Sequence, residues 1–227
     1  MIPILYEDNH ILVAVKPPNT PSQEDASGDP DILTLLKQDI KERYNKPGNV
    51  YLGLVHRLDR PVGGVMVFAR TSKAASRLSD DVRTRNIHKR YLAVVHGLPP
   101  HRYERLEHYL KKNTSTNMVS VTTAHDPQGK RAALEYEVLE TADGYSLLGI
   151  KLETGRPHQI RVQLSHIGCP IFGDQRYGRV QEEVGCNIAL WSHRLELTHP
   201  IRKEPMSFTA EPPVASKPWN LFDFSRV

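Results

Sequence analysis

A charged stretch in the first third of the chain, residues 56–60, has the residue types for acid–base or nucleophilic chemistry. It reads His-Arg-Leu-Asp-Arg, so Arg57 and Arg60 flank the carboxylate of Asp59. Nearby positive charge keeps a carboxyl group ionised, and an ionised Asp59 would serve as a nucleophile or base rather than as an acid. The pair Gly63-Gly64 follows and favours a tight turn. A surface ion pair at the end of a strand is the alternative interpretation.

A second stretch, residues 152–168, indicates an anion site at the start of a helix. Pro157 is typical of a first helical position, where backbone N–H groups and the helix dipole attract negative charge. Arg156 stands at this helix start, and His158 and Arg161 are spaced to share one helix face. The core face would carry Ile160, Leu164 and Ile167. A phosphate or a carboxylate would suit this site, and a solvated basic helix start is the alternative.

A third stretch, residues 83–105, is basic and carries interleaved aromatic residues. Tyr91 and Tyr103 lie among six basic residues and a single acidic one, Glu104. The six are Arg83, Arg85, Lys89, Arg90, Arg102 and Arg105. Basic groups with aromatics grip a nucleic-acid backbone and stack its bases. The alternative is that Tyr91, inside a predicted strand, belongs to the core.

Apolar patterning predicts the elements that position these stretches. Strands are expected near residues 11–15, 63–70, 89–97, 190–200 and 206–213, and a hairpin with an Asp143-Gly144 turn within 134–155. Helices are expected over 31–44, 72–84 and 157–168, with caps at Asp31, Ser72 and Gly168. The first helix places five residues at helical spacing: Ile32, Leu35, Leu36, Ile40 and Tyr44.

Strands outnumber helices in this prediction, and many are joined by hairpins. The fold class is therefore α+β, with a mixed, mainly antiparallel sheet. The flanking pieces are too short to be separate domains, so residues 1–227 are expected to form one catalytic domain.

Composition excludes several classes of protein. The chain has 227 residues, 39% of them hydrophobic, and a formal charge of +4, values ordinary for a globular protein. Its two cysteines, Cys169 and Cys186, cannot build a disulfide scaffold or an all-cysteine zinc site, and fit buried thiols in a reducing compartment. The N-terminus lacks a basic signal-peptide region, and no stretch approaches the roughly 20 apolar residues of a membrane span. We expect a cytoplasmic protein with no membrane contact.

Five motifs in order resemble the conserved blocks of the RluA-type family of RNA pseudouridine synthases. They are YEDNHILVAVKPPN, HRLDRPVGGVMVFAR, KRYLAVVHG, ETGRPHQIRVQLSHIGCPIFGDQRYG and LWSHRLELTHP, and they span nearly the whole chain. The resemblance implies the pseudouridine-synthase fold, with helices flanking the sheet and a central catalytic cleft. It implies isomerisation of uridine to pseudouridine in ribosomal or transfer RNA, with neither metal nor organic cofactor.

The resemblance also implies roles for individual residues. Asp59 matches the essential aspartate, and Arg161 matches the arginine that pairs with it in relatives. Tyr91 matches the tyrosine that packs against the target base, and Arg57 an arginine that helps to displace that base. The predicted substrate contacts are His56, Arg57, Arg60, Lys89, Arg90, Arg156 and His158.

Two departures from the family pattern affect these expectations. Many relatives have Ser or Thr where this chain has Gly63 and Gly64. The catalytic blocks also start almost at residue 1, so we expect no separate N-terminal RNA-binding module. RNA selection is then expected to rest on residues 83–105 and 111–131, in a monomer without an obligatory protein partner.

Two other functions fit the sequence less well than the synthase does. A non-catalytic RNA-binding relative would be expected to have lost Asp59, Tyr91 or Arg161, and all three are present. A metal-dependent hydrolase lacks any compact ligand spacing such as H-E-x-x-H.

Overall fold

The computed structural model describes residues 2–178 and 185–224, which contain three α-helices and eleven strands. The chain forms two compact units, Met1–Lys89 with Ser192–Ala210 and Arg90–Trp191 with Glu211–Val227. The helices are α1 Ile32–Arg43, α2 Ser72–Thr84 and α3 Gln159–His166. The strands are β1 Ile4–Glu7, β2 Ile11–Lys16, β3 Gly53–Leu54, β4 Gly63–Ala69, β5 His88–His96, β6 Tyr103–Asn113, β7 Met118–Thr122, β8 Lys130–Ala142, β9 Tyr145–Leu152, β10 Leu190–Thr198 and β11 Pro205–Thr209. These elements confirm the α+β class.

The core of the first unit forms around β4, which lies between β2 and β10. All seven residues of β4 are buried, as its continuous apolar run predicts. It pairs antiparallel with β2, with Val13 opposite Val67. Ala74 and Leu78 of α2 belong to the same apolar cluster.

The two helices of the first unit begin at side-chain caps. Asp31 accepts a hydrogen bond from the backbone N–H of Thr34, so the predicted cap of α1 is confirmed. The cap of α2 is Thr71 rather than the predicted Ser72, because the Thr71 hydroxyl accepts the bond from Ala74. Ile32, Leu36 and Ile40 of α1 are buried. Leu35 and Tyr44, placed at the same spacing, are exposed.

The second unit contains the antiparallel strand order β5-β9-β8-β6-β7. Asp143 and Gly144 join β8 to β9 with positive φ angles of 50° and 80°, which confirms the predicted hairpin. The hairpin of β6 and β7 was not predicted. Residues 111–131 contain the end of β6, all of β7 and the start of β8, joined by turns.

Helix α3 differs from its prediction at its start and agrees at its end. It begins at Gln159, two residues after Pro157, because His158 has a left-handed conformation (φ 51°) that ends the preceding turn. Gly168 has φ 87°, and the N–H groups of Gly168 and Cys169 bond back to the last turn, as predicted for a glycine cap. Both cysteines are free, Cys169 buried and Cys186 only half-buried. Among the described residues, no helix is long and apolar enough to cross a membrane.

Candidate active site

The segment that carries Asp59 alternates between the interior and the surface of the first unit. It follows β3 and ends in a turn closed by the bond from Val62 N–H to the Asp59 carbonyl, at 3.0 Å. His56 and Leu58 are buried, Arg57 is exposed and Asp59 is half-buried. The alternation fixes the segment through its buried residues and presents Arg57 and Asp59 outward.

His56 anchors this segment to β4. Its Nε2 accepts a 3.1 Å hydrogen bond from the backbone N–H of Val67. Burial, with the nearby charge of Lys89, holds the pKa of His56 well below its usual value, so the ring is neutral. Its predicted contact with substrate stays a prediction.

Lys16, at the end of β2, is a site residue that the sequence analysis missed. Its fully buried ammonium donates to the carbonyls of Pro17, Thr20 and Arg60, at 3.0, 2.6 and 2.9 Å. Burial lowers its pKa to about 7, while the charge of Asp59 acts in the opposite direction. A lysine at the end of a buried apolar run, just before two prolines, was the available signal. Lys16 thus places near Asp59 an amine that is only partly charged at neutral pH.

Arg60 is held by the preceding loop. Its guanidinium bonds to Ser27 and pairs with Asp29, and Asp25 lies 3.8 Å away. The charge of Arg60 thus has two carboxylate partners in this loop, and its predicted contact with substrate stays a prediction. The backbone carbonyl of Arg60 accepts a hydrogen bond from Lys16.

The glycine pair that follows lies in β4 instead of forming the turn. Gly64 has φ 120°, and a Cβ there would lie 2.3 Å from the carbonyl oxygen of Ser192. The hydroxyl of Ser192 donates to the carbonyl of Val65, at 3.1 Å. Glycine is required here by the close approach of β10, which is a packing reason for the departure from the family pattern.

The β5 residues of the predicted site differ in exposure. Lys89, in the first unit, is half-buried, and burial lowers its pKa to about 8. Arg90, in the second unit, is exposed, and Tyr91 beside it is only 6% exposed. Tyr91 stands opposite Ile150 of β9. Burial is expected both of a tyrosine in the core and of one that packs against the target base, so the role of Tyr91 stays a prediction.

Arg161 of α3 is buried in a paired arrangement. Its Nε and Nη2 donate to the two carboxylate oxygens of Asp174, at 2.8 and 2.7 Å, and both side chains are almost fully buried. Burial opposes ionisation of Asp174, but Arg161 and two backbone N–H groups hold its pKa below the usual range. Such a bidentate pair fixes the plane of the guanidinium.

Asp174 was missed by the sequence analysis, although it lies in the motif FGDQRYG. Gly173 before it has φ 74°, and a Cβ there would lie 2.3 Å from the carbonyl of Asn187. Asp174 also accepts the N–H groups of Arg176 and Tyr177. The glycine therefore permits a tight loop that aims the carboxylate at Arg161.

The anion site predicted at the start of α3 stays a prediction, but its residues are less exposed than a solvent-facing helix start would be. Arg161 lies in the interior and does not share an exposed face with His158, since every residue from Gln159 to Leu164 is buried. The Nε of Arg156 donates to the carbonyl of Arg131, at 3.0 Å. Nδ1 of His158 lies 2.6 Å from the Tyr177 hydroxyl.

Two charges of the basic stretch 83–105 have local acidic partners. Arg83 pairs with Asp80, and Arg105 with Glu107 and Glu153. Among the described residues, no group of three or more His, Cys, Asp or Glu could hold a metal ion.

The family model described as RNA pseudouridylate synthase matches residues 10–166. The chain belongs to this family. Membership confirms the RluA-type resemblance and makes the chain an RNA isomerase. The matched range contains Asp59, Tyr91 and Arg161 and ends before Asp174.

Relatives with this likeness come from several bacteria. The RNA pseudouridine synthase YjbO of Bacillus subtilis is 35% identical over 214 residues, which cover 92% of this chain and 72% of the relative. The ribosomal large subunit pseudouridine synthase D of Yersinia pestis is 36% identical over 225 residues, 92% of this chain and 67% of the relative. The C-type enzyme of Buchnera aphidicola subsp. Baizongia pistaciae is 31% identical over 214 residues, 91% of this chain and 66% of the relative. The chain thus spans about two thirds of the length of these relatives, somewhat more for YjbO.

A solved structure shows the same fold. Human RNA Pseudouridylate Synthase Domain Containing 4 superposes with a TM-score of 0.78 at 24% identity, covering 93% of this chain and 88% of the human one. This likeness confirms the predicted pseudouridine-synthase fold.

Proposed function

We propose that the chain converts uridine to pseudouridine in ribosomal RNA, with Asp59 as the reacting carboxylate. The observation that carries this proposal is the alternating burial of the Asp59 segment, which anchors His56 and Leu58 inside and presents Arg57 and Asp59 outward. The motif resemblance supplies the role of the carboxylate. Lys16 lies close enough to this carboxylate for the charge of Asp59 to raise the pKa of the lysine against the effect of burial.

The reaction balances without an oxidant or reductant. The bond from N1 of the uracil to C1′ of the ribose breaks, a bond from C5 to C1′ forms, and the proton leaves C5 while N1 gains one. Asp59 takes part by adding to the sugar, by adding to the base, or by removing a sugar proton. Each of these routes needs the ionised carboxylate.

Three further side chains complete the proposed machinery. A stacked base must first leave the base stack, at a cost of a few kcal/mol, and the exposed Arg57 is proposed to take its place there. Tyr91 offers a flat face to the detached ring while it turns. The motif resemblance gives Arg161 the role of pairing with the reacting carboxylate.

The substitution Asp59→Asn tests the role of the carboxylate. It keeps the size of the side chain and removes the charge, so product formation should disappear while RNA binding stays within about twofold, because binding rests chiefly on phosphate contacts. Asp80→Asn on the exposed face of α2 is the matched control and should retain full turnover. Retained turnover in Asp59→Asn would refute the role of Asp59. A parallel reaction with a chelator separates the synthase from a metal-dependent enzyme, since only the synthase still forms pseudouridine.

The proposed substrate class follows from relatives named as ribosomal large subunit pseudouridine synthases. Pseudouridine mapping across all transcripts tests it in cells that lack the protein, with rescue by the wild type or by Asp59→Asn. We expect a large-subunit ribosomal uridine that is modified only with the wild type. A site that depends on the protein in transfer RNA alone would overturn the ribosomal assignment and leave the isomerase activity standing.

A further inference from the structure

We propose that Tyr177 is a positioning residue for Arg161, holding the face of the guanidinium and tying it to the β6–β7 hairpin. This inference rests on the proposed role of Arg161 in the reaction. Tyr177 lies outside the residues matched by the family model.

The ring of Tyr177 lies against the face of the Arg161 guanidinium. The Cζ of Arg161 is 5.1 Å from the centre of the ring. Because Arg161 is almost fully buried, this cation–π contact is desolvated and stronger than one at the surface. Asp174 already holds the Nε–Nη2 edge, so the guanidinium is constrained at one edge and on one face. The orientation of the guanidinium is therefore fixed.

The hydroxyl of Tyr177 fixes the ring that makes this contact. It accepts a 2.9 Å hydrogen bond from the backbone N–H of Val119 and lies 2.6 Å from Nδ1 of His158. An N–H group can only donate, so the tyrosine oxygen accepts from Val119; towards Nδ1 of His158 it either gives its own hydrogen or accepts one, depending on the tautomer of the ring. Burial raises the pKa of Tyr177, which keeps that hydrogen in place. The hydroxyl thereby connects β7 to His158, the residue just before α3.

The segment around Tyr177 makes a second connection to the same hairpin. Nη1 of Arg176 donates to the carbonyl of Asn117, at 2.9 Å, just before β7 begins. The backbone N–H groups of Arg176 and Tyr177 both bond to Asp174. One short segment therefore binds the hairpin on one side and Arg161 on the other. β7 is the edge strand of this unit, so its outward-facing N–H groups can bond to a side chain such as that of Tyr177.

Precise placement of a charged group has a large effect on rate, since a misplacement of about 1 Å can lower a rate about 100-fold. Tyr177→Leu removes both the ring and the hydroxyl. We expect it to lower kcat about tenfold, with KM for RNA changed less than about twofold, because the lost contact positions a charge and does not bind substrate. Tyr177→Phe keeps the ring and frees it from Val119 and His158, so it should lower kcat less and in the same direction.

A second measurement reports on Arg161 itself. The Nε–H proton, followed by its ¹H–¹⁵N NMR signal, should exchange slowly with solvent in the wild type, because the group is buried and bonded to Asp174. Exchange should become faster in Tyr177→Leu and, to a smaller degree, in Tyr177→Phe. Tyr145→Leu is the matched control. Tyr145 is also half-buried and also contacts a cation, Lys217 at 5.9 Å, so its loss should change neither kcat nor the Arg161 signal.

The outcomes separate this inference from the proposed function. The role of Tyr177 would be overturned if Tyr177→Leu left kcat unchanged or only raised KM. It would also be overturned if kcat fell while the Arg161 signal stayed unchanged. If Tyr177→Leu does not fold, Tyr177→Phe decides by the same two measurements. Arg161→Ala is measured beside them, and full turnover there would instead refute the proposed role of Arg161. Loss of turnover in Arg161→Ala with wild-type kcat in both Tyr177 variants would refute the present inference alone.

Discussion

The buried ammonium of Lys16 donates a 2.9 Å hydrogen bond to the backbone carbonyl of Arg60, the residue after Asp59. The bond joins positions 44 residues apart in the chain and connects the end of β2 to the segment that carries the proposed reacting carboxylate. Bonds to the carbonyls of Pro17 and Thr20 engage the other two donors of the ammonium. Lys16 therefore fixes the backbone beside Asp59 as well as placing a partly charged amine near it.

Lys16→Met should destabilise the fold. Methionine has a similar length and can fill the space, but three carbonyl groups lose their donor. We expect the free energy of unfolding to fall by about 3 kcal/mol, measured by urea denaturation. Lys46→Met, at an exposed position, is the control and should stay within about 0.5 kcal/mol of the wild type. Equal unfolding free energies for the two variants would show that the Lys16 bonds add no net stability.

Gly64→Ala should be poorly tolerated. The added Cβ would lie 2.3 Å from the Ser192 carbonyl oxygen, and the φ of 120° disfavours any side chain. Because the clash is with backbone, the strand must move, and we expect a loss of about 3 kcal/mol or more in thermal or urea unfolding. Gly48→Ala meets nothing within 4 Å and should leave stability nearly unchanged. A folded Gly64→Ala protein with wild-type stability would contradict the close approach of β10.

Arg57→Ala should affect structured RNA more than unstructured RNA. If the exposed Arg57 replaces the extruded base, its loss matters most where the target uridine is stacked. We expect kcat/KM to fall about 100-fold on a folded RNA, because about 3 kcal/mol of unstacking cost is no longer offset, and to fall far less on a short single strand. Lys46→Ala, at an exposed position, controls for the loss of one positive charge. An equal loss on both RNAs would assign Arg57 to phosphate binding instead.

The features that the sequence predicted correctly are local ones. The Asp31 cap and the Asp143-Gly144 hairpin depend on residues within one turn of each other, so residue types alone specify them. The Asp59 segment was found because its charged residues are adjacent. Its motif then led to the family, which supplied the role that spacing alone left open.

The features that could not be predicted from the sequence depend on contacts between distant residues or on backbone conformation. The partners of Lys16 and Asp174 become visible only when the chain has folded, since Asp174 lies 13 residues after Arg161. The start of α3 was misplaced because the left-handed conformation of His158 leaves no mark in apolar periodicity. Strand β6 carries many charged residues, which mask its alternation. These are the places where tertiary contacts override local preference.

Asp174→Asn should destabilise the protein in a pH-dependent manner. At pH 7 the substitution leaves the buried Arg161 without its anion, and we expect the free energy of unfolding to fall by about 3 kcal/mol. The pKa of Asp174 is lowered in the folded protein, so its ionised form stabilises the fold above the ordinary pKa of about 4. That stabilisation is lost as the pH falls through the folded-state value. The difference between wild type and variant should therefore be smaller near pH 3.5 than at pH 7, measured by urea unfolding at both pH values.

The exposed ion pair of Asp80 with Arg83 supplies the control for this pH dependence. Asp80→Asn should change the unfolding free energy by less than about 1 kcal/mol at either pH, because water screens the pair. An Asp174→Asn difference that is the same at both pH values would mean that the carboxylate is not the charged partner of Arg161. A large difference at pH 7 that shrinks on acidification would show that the buried pair depends on the ionised carboxylate, which is the state that a fixed Arg161 guanidinium requires.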